Sequence, residues 1–348
     1  MITVIVPAKI HLMGEYSAIY GEQTLLAAVG RSCTITITEQ EEKEITINSK
    51  NLGKTERFAL DSIIEQTEKA RALYSQFVAS RDPLTLKAII HDPLHYLALA
   101  IGETVLFYQK KQYTGFTLTV DSTIPMNFGM GSSAAVAVAV VKAVSQYLGQ
   151  SPDNQTICNI STNIEKNVHG FPSGGDVAAV CYGGTIVFQK DAEGKKTVKS
   201  LWANNHSPLQ TKDIIDHFIL INTGSPQEST GEMVSSVREL EHSHPEIIAT
   251  FVKNQGNVTR NFIKALQDND FERVLSLLRE GEKNLESIHV VSPKTQNLIR
   301  EIEQSGGGAK ISGAGGKIGG SGIVVAMHSD PQMLKDIVTK YNFSFLLL

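Results

Sequence analysis

The chain has 348 residues, 41% of them hydrophobic and 20% charged, and a net charge of −4. That balance excludes binding driven by nucleic-acid phosphates, which needs a clustered basic surface. The length exceeds one ordinary core and predicts two domains, which we divide at 1–190 and 191–348.

Cys33, Cys158 and Cys181 are far apart in sequence and form no CxxC pair, so neither a disulfide framework nor a zinc site is expected. The N-terminal stretch MITVIVPAKIHLMGEY lacks a basic n-region and meets a charge at Lys9, unlike a secretory leader. No apolar run approaches the roughly 20 residues that span a bilayer. A cytoplasmic protein without membrane contact is expected.

In chain order, Met1–Val6 alternates with β-branched residues and predicts a strand. CTITIT (Cys33–Thr38) and EITIN (Glu44–Asn48) share the period of two, and the charged EQEEK between them reads as a hairpin tip. Asp61–Val78 and Pro93–Gln109 have helical spacing, and Gly115–Pro125 reads as a strand. Ser133–Leu148 predicts a helix ended by Gly149, and Ser161–His169 a second one. The segment HGFPSGGDVAAVCYGGTIVFQK then reads as a loop followed by a strand. Lys190–Ser200 is polar and turn-rich, which places the domain boundary there. Beyond it come a strand (His217–Asn222) and helices over Gly231–Glu241, Pro245–Asp268, Asp270–Ser287 and Pro293–Gln304. A glycine-rich segment and a strand–helix–strand close the chain, with FSFLLL as the last strand. Strands and helices mixed without strict βα alternation predict an α+β fold, not a doubly wound sheet.

Four patches carry chemistry. In PMNFGMGSSAAVAVAVV (Pro125–Val141), a glycine–serine knot precedes an Ala/Val helix. A helix N-terminus exposes unpaired N–H groups and about half a positive charge, which suits phosphate. The alternative is a plain cap by Ser132. No GK[ST] follows, so this is not a Walker A loop. In SGGGAKISGAGGKIGGSG (Ser305–Gly322) roughly half the residues are glycine, against 28 in the whole chain. So dense a cluster running directly into a strand points to close approach to a ligand rather than to a linker. In NIEKNVHGFPSGGD, Glu165 and Asp176 flank a tight turn, and two such carboxylates can hold Mg²⁺ or accept a hydroxyl proton. We place Asp176 on that turn, exposed. In VPAKIHLMGEYSAIYGE (Val6–Glu22), Lys9 can neutralise developing charge and Glu15 can orient a small polar substrate.

Other residues read as structural. His91 and His95 have zinc-ligand spacing but no third partner, and are taken as packing or solvated. Met13, Met126 and Met130 are taken as packing residues.

Taken in order, the four patches resemble the GHMP small-molecule kinases, named for galactokinase, homoserine, mevalonate and phosphomevalonate kinases. PAKIHLMGEYSAIYG resembles the N-terminal motif, PMNFGMGSSAA the phosphate loop, and KISGAGGKIGGSGIVVA the third motif. The resemblance covers nearly the whole chain. It implies an α+β, two-domain GHMP kinase fold: an N-terminal ribosomal-protein-S5-like domain and a C-terminal ferredoxin-like domain, with the active site between them. Within the family the mevalonate kinases are most similar, through GEYSAIYGEQTLLAAV, EKNVHGFPSGGD and INTGSPQESTGEMVSSV.

The resemblance implies ATP and Mg²⁺ as cofactors, with mevalonate phosphorylated on its C5 hydroxyl, in a homodimer. By it, Asp176 is the catalytic carboxylate and Lys9 its electrostatic partner. ATP lies on Gly129, Met130, Gly131, Ser132, Ser133 and Ala134, closed over by Gly313, Ala314 and Gly315. Ser133 and Glu165 hold Mg²⁺, while Glu15, Tyr16 and Thr230 face the substrate. There are departures. Tyr16 stands where mevalonate kinases have histidine, GGDVAAVCYGG is closer to phosphomevalonate kinases, and Lys317 and Ile318 interrupt the third motif. Phosphomevalonate kinase, with Arg31, Lys87 and Lys317 as candidate phosphate ligands, and other GHMP kinases therefore stay open as alternatives.

Overall fold

Alternating Ile, Thr and Val residues build the strands of the first half; the computed structural model describes residues 1–109, 114–126, 128–202, 214 and 217–347. One compact unit comprises Met1–Ala8, Gly30–Ile124 and Gly131–Gly183. Strand β1 (Ile2–Met13) opens the chain and outruns its predicted end. The second half of β2 (Thr24–Gln40) joins β3 (Glu44–Ser49), β4 (Lys54–Ala59) and β5 (Gly115–Ser122) in the order β4-β3-β5-β2. Helices α1 (Leu60–Ser80), α2 (Pro83–Lys87) and α3 (Pro93–Tyr108) follow β4. After β5 come α4 (Ser132–Tyr147), α5 (Asn154–His169) and α6 (Gly175–Tyr182). Helix α4 is buried along its Ala/Val run and packs against α3, α5 and α6. A helix so apolar must be surrounded.

The expected β2–β3 hairpin does not form. Strand β5 lies between its two arms, antiparallel to β2 and parallel to β3, with Leu118 facing both Ile37 and Ile47. Gln40 explains the splay: its amide donates to the Glu44 carbonyl, and its oxygen accepts from Thr46 and Thr117. Gly115 lets the incoming strand fit, because a Cβ there would lie 1.7 Å from the Glu42 carbonyl oxygen. Gly115→Ala is expected to cost about 1–3 kcal/mol through overpacking of rigid backbone. Urea denaturation would measure this; an unchanged midpoint would show that the edge relaxes freely.

Helix α6 also departs from the sequence reading, which has a loop at these residues. Gly174 starts it from the left-handed region at φ 91°, and the Ala178 N–H closes the first turn onto the Gly174 carbonyl. Asp176 therefore stands in the first turn of a helix, half-buried, not on an exposed loop.

The second unit comprises Lys9–Val29, Pro125–Met130 and Gly184–Leu348. A 3₁₀ turn (Ser17–Tyr20) separates the end of β1 from the start of β2. Thr24–Ala27 of β2 pairs with β6 (Thr185–Lys190), which pairs in turn with β7 (Lys196–Ser200). The polar stretch read as a boundary thus contains a strand. A four-stranded antiparallel sheet follows in the order β11-β8-β10-β9. It consists of β8 (Phe218–Asn222), β9 (Gly308–Ser312), β10 (Ile323–Met327) and β11 (Ser344–Leu347). Leu348, the end of the predicted last strand, lies outside the described residues.

Among the described residues, five helices accompany this sheet: α7 (Thr230–Ser243), α8 (Pro245–Gln267), α9 (Phe271–Ser287), α10 (Pro293–Gln304) and α11 (Pro331–Lys340). Their apolar faces close on the sheet around Ile219, Ile221, Leu285, Ile299, Ile311 and Val324. Among the described residues no helix is long and apolar enough to cross a membrane.

Candidate active site

The glycine–serine knot leads into α4, whose N-cap is Gly131, left-handed at φ 71° with no side-chain cap. Ser132 is therefore not a capping residue. Gly131 has no side chain to cap this 16-residue helix, so among the described residues no cap competes for its first-turn N–H groups, as an anion site requires. Gly129 is also left-handed, at φ 74°, a region that L side chains enter only with strain.

In the first turn of α4, Ser133 meets a buried carboxylate. Its hydroxyl donates to Glu165 Oε2 at 3.0 Å and lies 3.3 Å from His169 Nε2. Tyr96 donates to Glu165 Oε1 at 2.5 Å and also reaches the Ser133 carbonyl at 3.1 Å. Glu165 is only 3% exposed, and burial, with Asp176 as a nearby like charge, raises its pKa. His169, Tyr96 and Ser133 oppose that rise without reversing it. Two carboxylates that feel each other's charge, with the Ser133 hydroxyl on one of them, form a set of hard oxygen ligands. That donor set fits a small divalent cation that takes few protein ligands. Ser133, Glu165 and Asp176, all singled out in the sequence, do come together within one unit.

In the second unit the N-terminal segment is stitched to the third motif. The His11 N–H donates to Ser312 Oγ at 2.9 Å, and Tyr16 OH to the Ala314 carbonyl at 2.7 Å. Lys9 is buried; its backbone N–H donates to the Met130 carbonyl at 3.0 Å, and its ammonium lies 3.1 Å from His11 Nδ1. A Cβ on Gly129 would meet the Ser312 carbonyl at 3.2 Å, so the first half of the phosphate loop runs beside the third motif. Gly315 can be nothing larger: it sits at φ 68°, and a Cβ would lie 2.0 Å from the Val290 carbonyl. Glu15 and Tyr16 both face inward; Tyr16 is itself at φ 59°, and burial raises its phenol pKa. Thr230 is the exposed first residue of α7, not a loop residue, and Ser229 before it forms a capping box with Glu232.

The family model described as "GHMP kinases N terminal domain" matches residues 97–184, and "GHMP kinases C terminal" matches 262–340. A mevalonate kinase of Thermococcus gammatolerans is 31% identical over 316 residues, covering 88% of this chain and 84% of the relative. The chain belongs to the GHMP kinases. A solved mevalonate kinase from Methanococcus jannaschii superposes with a TM-score of 0.77 at 21% identity, over 99% of this chain and 96% of that one. A Streptococcus pneumoniae phosphomevalonate kinase reaches 0.71 at 16% identity, over 99% and 98%. These likenesses give the α+β GHMP kinase fold, and the fold does not choose the substrate.

Several residues that the structure packs around the predicted ones escaped the sequence reading. His169 stands four residues after Glu165 on one helix, a spacing that could have signalled the contact. Tyr96 lies in an apolar helix and carried no signal. His11, Ser312, Lys310 and Glu282 are brought in by tertiary pairing alone. Met126 is 58% exposed, unlike buried Met13 and Met130, so it is not a packing residue. His95 packs edge-on against Phe58. Arg31, Lys87 and Lys317 lie on β2, on α2 and in the turn after β9, so no two share an element.

Proposed function

We infer that this GHMP kinase transfers the γ-phosphoryl group of ATP to the C5 hydroxyl of mevalonate. The kinship with mevalonate kinases at up to 31% identity over most of the chain carries that reading. The site supports it: an uncapped helix N-terminus for phosphate, a buried carboxylate on a serine hydroxyl, and a second carboxylate beside them. We propose that residues 1–190 supply the phosphate loop and the carboxylates, and 191–348 the third motif. A cytoplasmic homodimer is part of the same reading.

Phosphoryl transfer asks a protein for positioning and charge stabilisation. In our reading Gly129–Ala134 hold the ATP phosphates through backbone N–H groups, with Gly313–Gly315 on the nucleotide as well. Ser133 and Glu165 would hold Mg²⁺, which, when bound, offsets phosphate charge. Asp176 accepts or orients the proton of the C5 hydroxyl. In the same reading the Lys9 ammonium favours the developing alkoxide. Glu15, Tyr16 and Thr230 belong to the substrate side.

ADP release with Mg-ATP tests the substrate. Mevalonate is expected to turn over and 5-phosphomevalonate not. Turnover of the phosphorylated compound alone would make the Tyr16 and GGDVAA departures the better guides. That outcome would replace the reading by a phosphomevalonate kinase.

A further inference from the structure

Three ionisable side chains lie together in the interior of the second unit. Glu15, Lys310 and Glu282 are 3%, 0% and 0% exposed. They come from three separate stretches: the turn after β1, strand β9 and helix α9. Lys310 Nζ donates to Glu15 Oε1 and to the Ile311 carbonyl, both at 2.5 Å. Glu282 Oε2 accepts the Ile311 N–H at 2.9 Å.

The sheet order explains why the cluster exists. β9 is an edge strand, with β10 as its neighbour in the sheet. A buried edge leaves backbone donors and acceptors that need partners. At Ile311 the N–H is taken by Glu282 and the carbonyl by Lys310, so two side chains do the work of a missing strand. Glu15 ties the other end of the same ammonium to the N-terminal segment.

We propose that Lys310 and Glu282 are positioning residues, which together hold β9 and the Ser312–Gly315 turn against the segment carrying Lys9 and Glu15. This rests on the reading that Lys9, Gly129–Met130 and Gly313–Gly315 belong to the active site. The links onward are short. Ser312 accepts from the His11 N–H, His11 Nδ1 lies beside the Lys9 ammonium, and the Lys9 N–H donates to Met130 of the phosphate loop. Glu15 acts on the substrate side from within, through the turn it anchors.

Charge balance decides how Glu282 works. Two carboxylates against one ammonium leave an excess anion in a dry interior, which is costly. Burial pushes the Glu282 carboxyl up to about 8, with Glu286 and Glu15 adding to the rise and the Ile311 N–H and Lys310 opposing it. Arg300 pairs with Glu286, and helix α8 meets α9 here through the uncharged Gln255. At neutral pH Glu282 is therefore the protonated member, and Lys310 gives its charge to Glu15.

The test uses Glu282→Gln and Lys310→Met in the full chain, read by Tm and by steady-state kinetics from pH 6 to 9. A folded pKa above the unfolded one gives stability that is complete only below the unfolded value and is lost as pH rises from there to the folded value. Glutamine cannot ionise. Relative to the wild type, the Tm of Glu282→Gln is expected to rise progressively between pH 6 and about 8 and to keep that gain at pH 9. Parallel Tm curves would overturn the protonated assignment. Lys310→Met is expected to lower kcat about 10- to 100-fold by misplacing the site, with a smaller change in KM. The double variant Glu15→Gln with Lys310→Met removes the stranded charge and is compared with Glu15→Gln alone, since Glu15 is itself on the substrate side: Tm should recover to the level of Glu15→Gln while kcat stays below it. A kcat that recovers along with Tm would reduce the cluster to a stabilising one. If no variant and no wild type turns over mevalonate, the substrate reading fails. The Tm series and ADP affinity would then still decide the positioning role.

Discussion

Asp176→Asn is expected to lower kcat for mevalonate by about 10²- to 10⁴-fold, the range of a lost general base, with KM for ATP nearly unchanged. Asparagine keeps the shape and the place in the first turn of α6, so the loss reports charge and proton acceptance. The carboxylate stands at a helix N-terminus begun by Gly174, where the helix dipole favours an anion. A second readout separates chemistry from folding. Asp176 is one of the charges that raise the Glu165 pKa, so its removal should move Glu165 downwards. Carbon-13 NMR of labelled glutamate side chains would follow that shift without turnover. A kcat within tenfold of wild type would remove Asp176 from the mechanism. A Glu165 titration unchanged from the wild type in that variant would place the two carboxylates farther apart than the structure does.

What could be read in the sequence divides along the range of the interactions. Strong local patterns survived: the helix predicted over Pro293–Gln304 has those bounds, and the Ala/Val helix after the glycine–serine knot differs by one residue at each end. Both have a long apolar stripe, and an abrupt start in proline or glycine. The hairpin at Cys33–Asn48 failed because adjacency along the chain was taken for adjacency in the sheet. Gly115 and Gln40, distant in sequence, admit β5 instead. Helix α6 was missed because its few turns begin at a left-handed glycine that also looks like a loop. The site divides in the same way. Ser133, Glu165 and Asp176 sit in motifs with informative neighbours. Glu282 sits in EGEKNLES, where every signal is that of a solvated helix face, yet it is wholly buried. Nothing local marks a carboxylate whose partner is the edge of a strand formed later in the chain.

Glu165→Gln is expected to raise the Mg²⁺ concentration for half-maximal activity by about 10- to 100-fold, the usual cost of weakening a metal's surroundings. The argument begins with burial. Glu165 is almost wholly enclosed, and its two oxygens accept from Tyr96 and Ser133. Burial first, and Asp176 after it, disfavour the ionised form, so the pKa rises although His169 and both hydroxyls resist. A divalent cation would offset this excess charge, and it binds the anion only. Mg²⁺ affinity should therefore increase with pH through the raised pKa of Glu165 and level off above it, whereas in Glu165→Gln it should lack that step. The sign for stability is the opposite. A carboxyl with a raised folded pKa loses stability as pH rises from its unfolded value to the folded one, so the metal-free variant should gain on the wild type in Tm over that window and keep the gain on the alkaline side. Added Mg²⁺ should then raise the wild-type Tm and leave the variant's nearly unmoved. Calorimetric titration of Mg²⁺ at two pH values, with thermal unfolding beside it, measures both arms without relying on turnover. An unchanged Mg²⁺ requirement with an unchanged pH dependence would mean that the cation is held elsewhere, and that Glu165 serves only to fix Ser133 at the head of α4.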